Sequence, residues 1–344
     1  MGAKVNFEPK LFLTYNNQAT LDGVGAQLQR IISVFSVSKL ARVGYLHSPL
    51  FDIDPQVFSS SDFEERLPQI KIWNNLFRDD LEKFCPKVGD RVFESASISL
   101  IQLRLLRFLS KFFQFRIICK LSNPRNITDK YPESLKVASE LMNDSLWDES
   151  ARTGVEILTI VVHIRQGVLA LSQFKDRLLP LGHYERILKS LVNCLYRENR
   201  QFKIVVPQES DRGICLSMDD PEVAKSIALN PNNPSLKFNN DGSINLIHET
   251  PSPALTPILF GAHWLDESST YSDFLQMIQA DVLITSKSSF SFVAGLLNNK
   301  SIKIYTPFWH SAPRDWINSD NLNEEVLCRM LNKRFTKEKT DKRT

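Results

Sequence analysis

The chain has 344 residues, enough for two domains of ordinary size, each with a core of its own. With 42% hydrophobic and 24% charged residues it has the make-up of a globular protein, which excludes the disordered, collagenous and membrane-embedded classes. Its 42 basic and 39 acidic residues leave a formal charge of +3, too small to mark a nucleic-acid partner. The five cysteines (Cys85, Cys119, Cys194, Cys215 and Cys328) are odd in number and scattered without a CxxC pair. That pattern predicts reduced, mostly buried thiols instead of a disulfide frame or a zinc site. There is no apolar run of spanning length and no basic-then-apolar leader, so the expected location is the cytoplasm.

In chain order, Leu11–Tyr15 reads as a first strand. Asp22-Gly23-Val24-Gly25-Ala26-Gln27 reads as a glycine loop, and Leu28, Ile31, Ile32, Phe35 and Leu40 follow at helical spacing. The glycines allow a tight turn and close approach, but Leu28 stands where the dinucleotide fingerprint needs its third glycine. A short strand over 43–47 comes next, then helical patterns over 62–78, 97–115 and 132–147. Residues 100–121 interleave leucines and phenylalanines with Arg104, Arg107, Lys111 and Arg116. Such a stretch is either a domain helix whose cationic stems lie along apolar surface or a helix able to rest on an anionic membrane.

The polar run 147–154 marks a boundary between a first domain, 1–150, and a second, 151–330. The basic residues beyond form a polar tail, 331–344. Strands at 155–163, 202–206, 244–248, 281–285 and 302–305 alternate with helices at 182–198, after Pro221, at 270–279 and at 289–298. Strict alternation predicts a doubly wound α/β domain with a parallel sheet.

Parallel sheets place ligands just beyond the carboxyl ends of their strands. There this chain carries His163-Ile164-Arg165, Glu209, His248-Glu249-Thr250 and Thr285-Ser286-Lys287-Ser288-Ser289-Phe290-Ser291. The last segment opens a helix, where unpaired N–H groups and the positive end of the helix dipole favour an anion. Together with Arg165 it can hold a diphosphate from two sides. No GxxxxGK[ST] loop is present, which counts against ATP or GTP hydrolysis.

The glycine loop 22–27, the His163-Ile-Arg165 strand end and Ala280–Ser291 followed by Pro307 and Trp309 resemble the fucosyltransferase-like glycosyltransferases. The likeness is greatest to the α-1,2-fucosyltransferase branch, and protein O-fucosyltransferases are more distant. It implies a GT-B-type α/β fold of two facing Rossmann-like domains with parallel sheets, the first meeting a glycan acceptor and the second holding GDP-fucose. It further implies an inverting, metal-independent hexosyltransferase with no cofactor beyond the donor and no nucleic-acid partner. On that resemblance Arg165, His163 and Asp22 are the catalytic candidates. Glu249, Asp281, Ser286, Ser288, Ser289, Phe290 and Ser291 join Arg165 as donor-binding candidates, and Gly23, Gly25 and Gln27 belong to an acceptor-side loop. Two departures bear on specificity: Gln166, Gly167 and Val168 stand where the family continues with arginine, glycine and aspartate, and Ala26 replaces an asparagine. A protein that keeps the fold for carbohydrate or nucleotide binding, and a transferase of another nucleotide sugar, are the alternatives. Trp73, Trp147 and Trp264 are candidates to stack on sugar rings.

Overall fold

The computed structural model describes residues 10–17, 23–52, 63–143, 146, 157–165, 175–198, 200, 202–206, 236–238, 244–246, 263–264 and 270–341. The chain divides into two compact units, one of residues 1–148 with 309–314, the other of 149–308 with 315–344. Each is α/β with a parallel sheet, the Rossmann-like organisation expected of a GT-B-type chain.

The first unit is built on β1 (Leu11–Tyr15), β2 (Gly44–Tyr45), β3 (Arg91–Ser95) and β4 (Ile117–Leu121), in the order β2-β1-β4-β3, all parallel. β1 is buried throughout and pairs on both sides, as its unbroken apolar run requires. Its pairing with β2 is close: a Cβ on Gly44 would lie 2.3 Å from the Phe12 ring, so only glycine fits without a shift. α1 (Val24–Ala41) is buried on nearly every side, and α2 (Phe63–Asn74), α3 (Leu100–Ser110) and the single turn α4 (Arg125–Thr128) complete the unit with a 3₁₀ segment, Pro132–Leu141.

Two expectations are corrected here. Helix α1 begins at Val24, with Gly23 as its N-cap, so Gly25 and Gln27 lie in the first helical turn and not in a loop. The amphipathic run 100–121 is two elements: α3 ends at Ser110, and Ile117–Leu121 is β4, bonded to β1 and β3. Its buried run Ile117-Ile118-Cys119 was absorbed into the helical spacing of the leucines before it. β3 itself carries no apolar period, because all five of its residues are exposed on the sheet's edge.

The second unit contains β5 (Leu158–Val162), β6 (Phe202–Val206), the separate antiparallel pair β7 (Leu236–Phe238) and β8 (Ile244–Leu246), β9 (His263–Trp264), β10 (Val282–Ile284), β11 (Ile302–Tyr305) and β12 (Ile317–Asn318). Its parallel sheet runs β12-β11-β10-β5-β6-β9. The expected third strand, 244–248, is therefore not in this sheet, since β8 pairs antiparallel with β7 and the place beside β6 belongs to His263–Trp264. On one face Leu158, Ile160, Val162, Ile204, Val282, Ile284 and Ile304 form a core with Tyr184, Ile187, Leu188, Leu191 and Leu195 of α5 (Leu181–Arg197). On the other face Val161 and Leu283 are equally buried, beside α6 (Thr270–Gln279) and α7 (Ser289–Leu297), and Phe292 of α7 meets Tyr305 of β11. Burying both faces is what a run such as Leu158–Val162, apolar or β-branched throughout, demands.

The last helix, α8 (Glu324–Asp341), puts Leu327 and Leu331 into the core shared with α5. Helix α8 thus runs on through the start of the expected tail, with Leu331 buried in that core. Cys328 of α8 is disulfide-bonded to Cys194 of α5, across 134 positions of sequence. This corrects the expectation of reduced thiols for that pair. Cys85 and Cys119 are free, one exposed and one buried. Among the described residues no helix is long and apolar enough to cross a membrane.

Candidate functional site

The order of the second sheet determines where a ligand site belongs. From β5 the chain proceeds to β6 and β9 on one side, and then to β10, β11 and β12 on the other. The reversal falls between β5 and β10, and the crevice outside the carboxyl ends at such a switch point is where open α/β sheets bind ligands. His163 and Arg165 follow β5, and Thr285, Ser286 and Ser288 follow β10, so both segments flank that point.

Hydrogen bonds tie the two strand ends together. The His163 N–H donates to Ile284 O at 3.0 Å, extending the ladder past β5, and the His163 ring Nδ1 bonds the Ser286 hydroxyl at 2.7 Å. His163 is fully buried, with its ring 5.8 Å from that of Phe290, which in turn packs on Phe274. These contacts make His163 a residue that positions the Ser286 loop. The loop is folded on itself: Ser288 N–H donates to Ser286 O, Ser286 N–H to the Ser291 hydroxyl, and that hydroxyl to Ser288 O. Ser288 is the N-cap of α7, its Oγ accepting from Phe290 N–H at 3.2 Å.

Arg165 reaches the same cap. Its Nη1 donates to Ser288 Oγ at 2.9 Å, while its Nε is buried with no protein partner among the described residues. The Ser288 oxygen is thus met by a guanidinium and a helix N–H at once, at the positive end of α7. A second cation stands beside it. Arg177, in the 3₁₀ turn Lys175–Arg177, is buried with its guanidinium 5.3 Å from the Phe308 ring. Burial first, and then the nearby charge of Arg165, hold its acidity constant below the usual arginine value. The turn is held in place by Lys287 Nζ, which donates to Asp176 O at 3.1 Å. Two guanidiniums close enough to repel, one of them on a helix N-cap, form an arrangement that an anion would relieve. Arg177 has no motif around it in the sequence; only the packing of 175–177 on the 286–288 loop reveals it.

A neutral polar cluster borders this pocket. Thr306 N–H and hydroxyl bond Thr285, and His183 Nε2 bonds the Thr306 hydroxyl at 3.1 Å. The His183 acidity constant is lowered by burial and by Arg186.

Several sequence candidates fall elsewhere. Asp281 lies at the opposite, amino-terminal edge of the sheet, where its carboxylate accepts from Thr159 N–H at 2.8 Å, so it joins β5 to β10 and does not face the pocket. Gln27 is buried and its amide donates to Asp52 O at 2.6 Å, a contact that anchors the 48–52 segment to α1. Trp73 is fully enclosed in the core of the first unit, where no sugar ring can reach it. Ser289 and Ser291 open α7 beside Ser288, and Gly23 caps α1 in the other unit. Asp22, Glu209, His248, Glu249 and Trp147 lie outside the described residues.

The fold and these contacts define a parallel-sheet α/β protein with two arginines and a helix N-terminus gathered at its switch point. The sequence matches no protein-family model and no curated protein. Among solved structures it is similar to the Arabidopsis thaliana fucosyltransferase FUT1, in a mutant form in complex with GDP, at 13% identity. The match covers 89% of this chain and 72% of that one, with a TM-score of 0.37. A likeness so distant carries no functional weight, and the pocket stands on its own geometry.

Proposed function

We propose that this protein is a glycosyltransferase that binds a nucleoside-diphosphate sugar at the Arg165–Ser288–Arg177 pocket and transfers the sugar to a glycan hydroxyl. The donor is proposed to be GDP-fucose and the reaction inverting and metal-independent, on the resemblance of the strand-end and serine motifs. The observation that carries the reading is the meeting of the Arg165 guanidinium with the α7 N-cap, with Arg177 beside it. A diphosphate gains negative charge as its bond to the sugar breaks, and preorganised cations and helix N–H groups stabilise that charge more than the ground state. Arg177 also bears on the motif departure at Gln166: the cation absent from the strand end is supplied from the 175–177 turn.

The missing aspartate after Gly167 favours a second reading, a binding protein without transfer. The test separates them in two stages. A thermal-shift panel of GDP, UDP and ADP and their sugars should show one base raising the melting temperature; a ligand at a hundredfold excess over its Kd adds about 2.7 kcal/mol. Release of GDP from labelled GDP-fucose in the presence of glycan acceptors should follow. Binding without release by any acceptor supports the second reading, and no stabilisation by any nucleoside diphosphate sinks both.

A further inference from the structure

We propose that the outward face of α3 docks the protein on an anionic lipid membrane. The helix buries only Leu100, Leu103 and Ser110. Directly opposite, at i, i+4 and i+7, stand Ile101 (80% exposed), Leu105 (56%) and Phe108 (57%), and Phe112 (73%) follows in the next turn. Four large apolar side chains in one outward stripe are not the scattered single residues that a water-facing helix carries. Phe108 and Phe112 touch edge to face, and Phe113 stacks on Phe115, with the Arg91 guanidinium 5.7 Å from the Phe115 ring.

Charge selects the occupant. Between Glu94 and Asp129 the sequence holds no acidic residue. Of the cations in that interval, Arg116, Lys120 and Arg125 are paired with Asp90, Glu94 and Asp129. Arg104, Arg107 and Lys111, which flank the apolar stripe, have no ion pair among the described residues. An apolar ridge bordered by free cations matches the acyl and headgroup layers of an anionic bilayer. A second copy docking through the same face would oppose cations to cations.

The proposal stands apart from the nucleotide pocket and is tested without it. The full chain is floated with vesicles of phosphatidylcholine alone and of phosphatidylcholine with roughly 30% phosphatidylserine. Binding is expected to the anionic vesicles only, and to fade as salt shortens the screening length from about 10 Å at 0.1 M to about 3 Å at 1 M. Reversing Arg104, Arg107 and Lys111 to Glu should weaken it by at least roughly 100-fold. Phe108→Ser with Phe112→Ser should weaken it by about tenfold or more. Because Arg104, Phe108, Lys111 and Phe112 are exposed and Arg107 is only partly buried, melting temperatures and circular dichroism should match the parent for both variants. Absence of binding to anionic vesicles, or equal binding by the charge-reversed variant, overturns the proposal. So does a concentration-dependent dimer that the double serine variant dissolves while vesicles bind neither protein.

Discussion

Two arginines show what separates a structural cation from one set for a ligand. Arg66, in the first unit, is buried against Asp52, its Nε and Nη2 bonding both carboxylate oxygens at 3.0 and 2.9 Å. Arg165, in the second, meets a serine hydroxyl at a helix start and a neighbouring arginine, with no carboxylate in its described contacts. A bidentate carboxylate closes a guanidinium's geometry and charge. A hydroxyl leaves the charge open, so the second arrangement is completed only by an anion.

That contrast predicts opposite phenotypes. Arg66→Ala strands a buried carboxylate and should cost about 3–5 kcal/mol of stability, read by denaturant unfolding. Arg165→Ala removes a repelling cation from Arg177 and should leave stability within about 1 kcal/mol of the parent, while the stabilisation by nucleoside diphosphate disappears. If Arg165→Ala unfolds the protein and ligand-induced stabilisation survives in a refolded remnant, the pocket has been assigned wrongly.

The second-largest effect concerns titration in the first unit. His47 is buried between Tyr45 and Phe77, its Nδ1 bonded to the Tyr45 hydroxyl, and burial with the nearby Lys83 charge lowers its pKa to about 4. The unfolded chain, with an ordinary histidine near 6.5, binds the proton more readily than the folded one. Stability from this group is therefore full above pH 6.5 and lost as pH falls toward 4, by about 3 kcal/mol over that window. His47→Gln should flatten that part of the stability–pH curve; an unchanged slope would show that the imidazole is not the titrating group.

Packing next to the pocket gives a smaller effect. Gly295 in α7 faces Trp316, and a Cβ there would lie 2.7 Å from the indole. Gly295→Ala should cost about 1–3 kcal/mol despite alanine's better helix propensity, and a smaller residue at Trp316 should restore part of the loss. Additive losses in the double variant would mean the two residues do not meet.

What the sequence made legible follows from how each feature is encoded. The strands buried on both faces, β1, β5, β10 and β11, announce themselves as largely apolar runs, and the serine-rich start of α7 as cap chemistry. The exposed edge strand β3 has no such run, and β4 comes soon after a leucine-rich helix whose spacing extends over it. β8 has the composition of a sheet strand, but its partner β7 is chosen by tertiary pairing. Arg177 and the Cys194–Cys328 bond depend on segments that meet only after folding, so spacing carries no trace of them.

The finest division of the contrast falls on Ser288, which serves the helix and the arginine with one oxygen. Ser288→Ala removes the cap and should cost about 1 kcal/mol of stability, whereas Ser288→Asp keeps a cap acceptor and adds a carboxylate to Arg165. The aspartate variant would then reproduce in the second unit the closed pairing of Arg66 with Asp52. It should unfold at or above the parent's temperature and respond weakly to nucleoside diphosphate, because its own carboxylate occupies the cation. Parental stabilisation by ligand in Ser288→Asp would show that the diphosphate does not compete for Arg165, and would place the anion nearer Arg177.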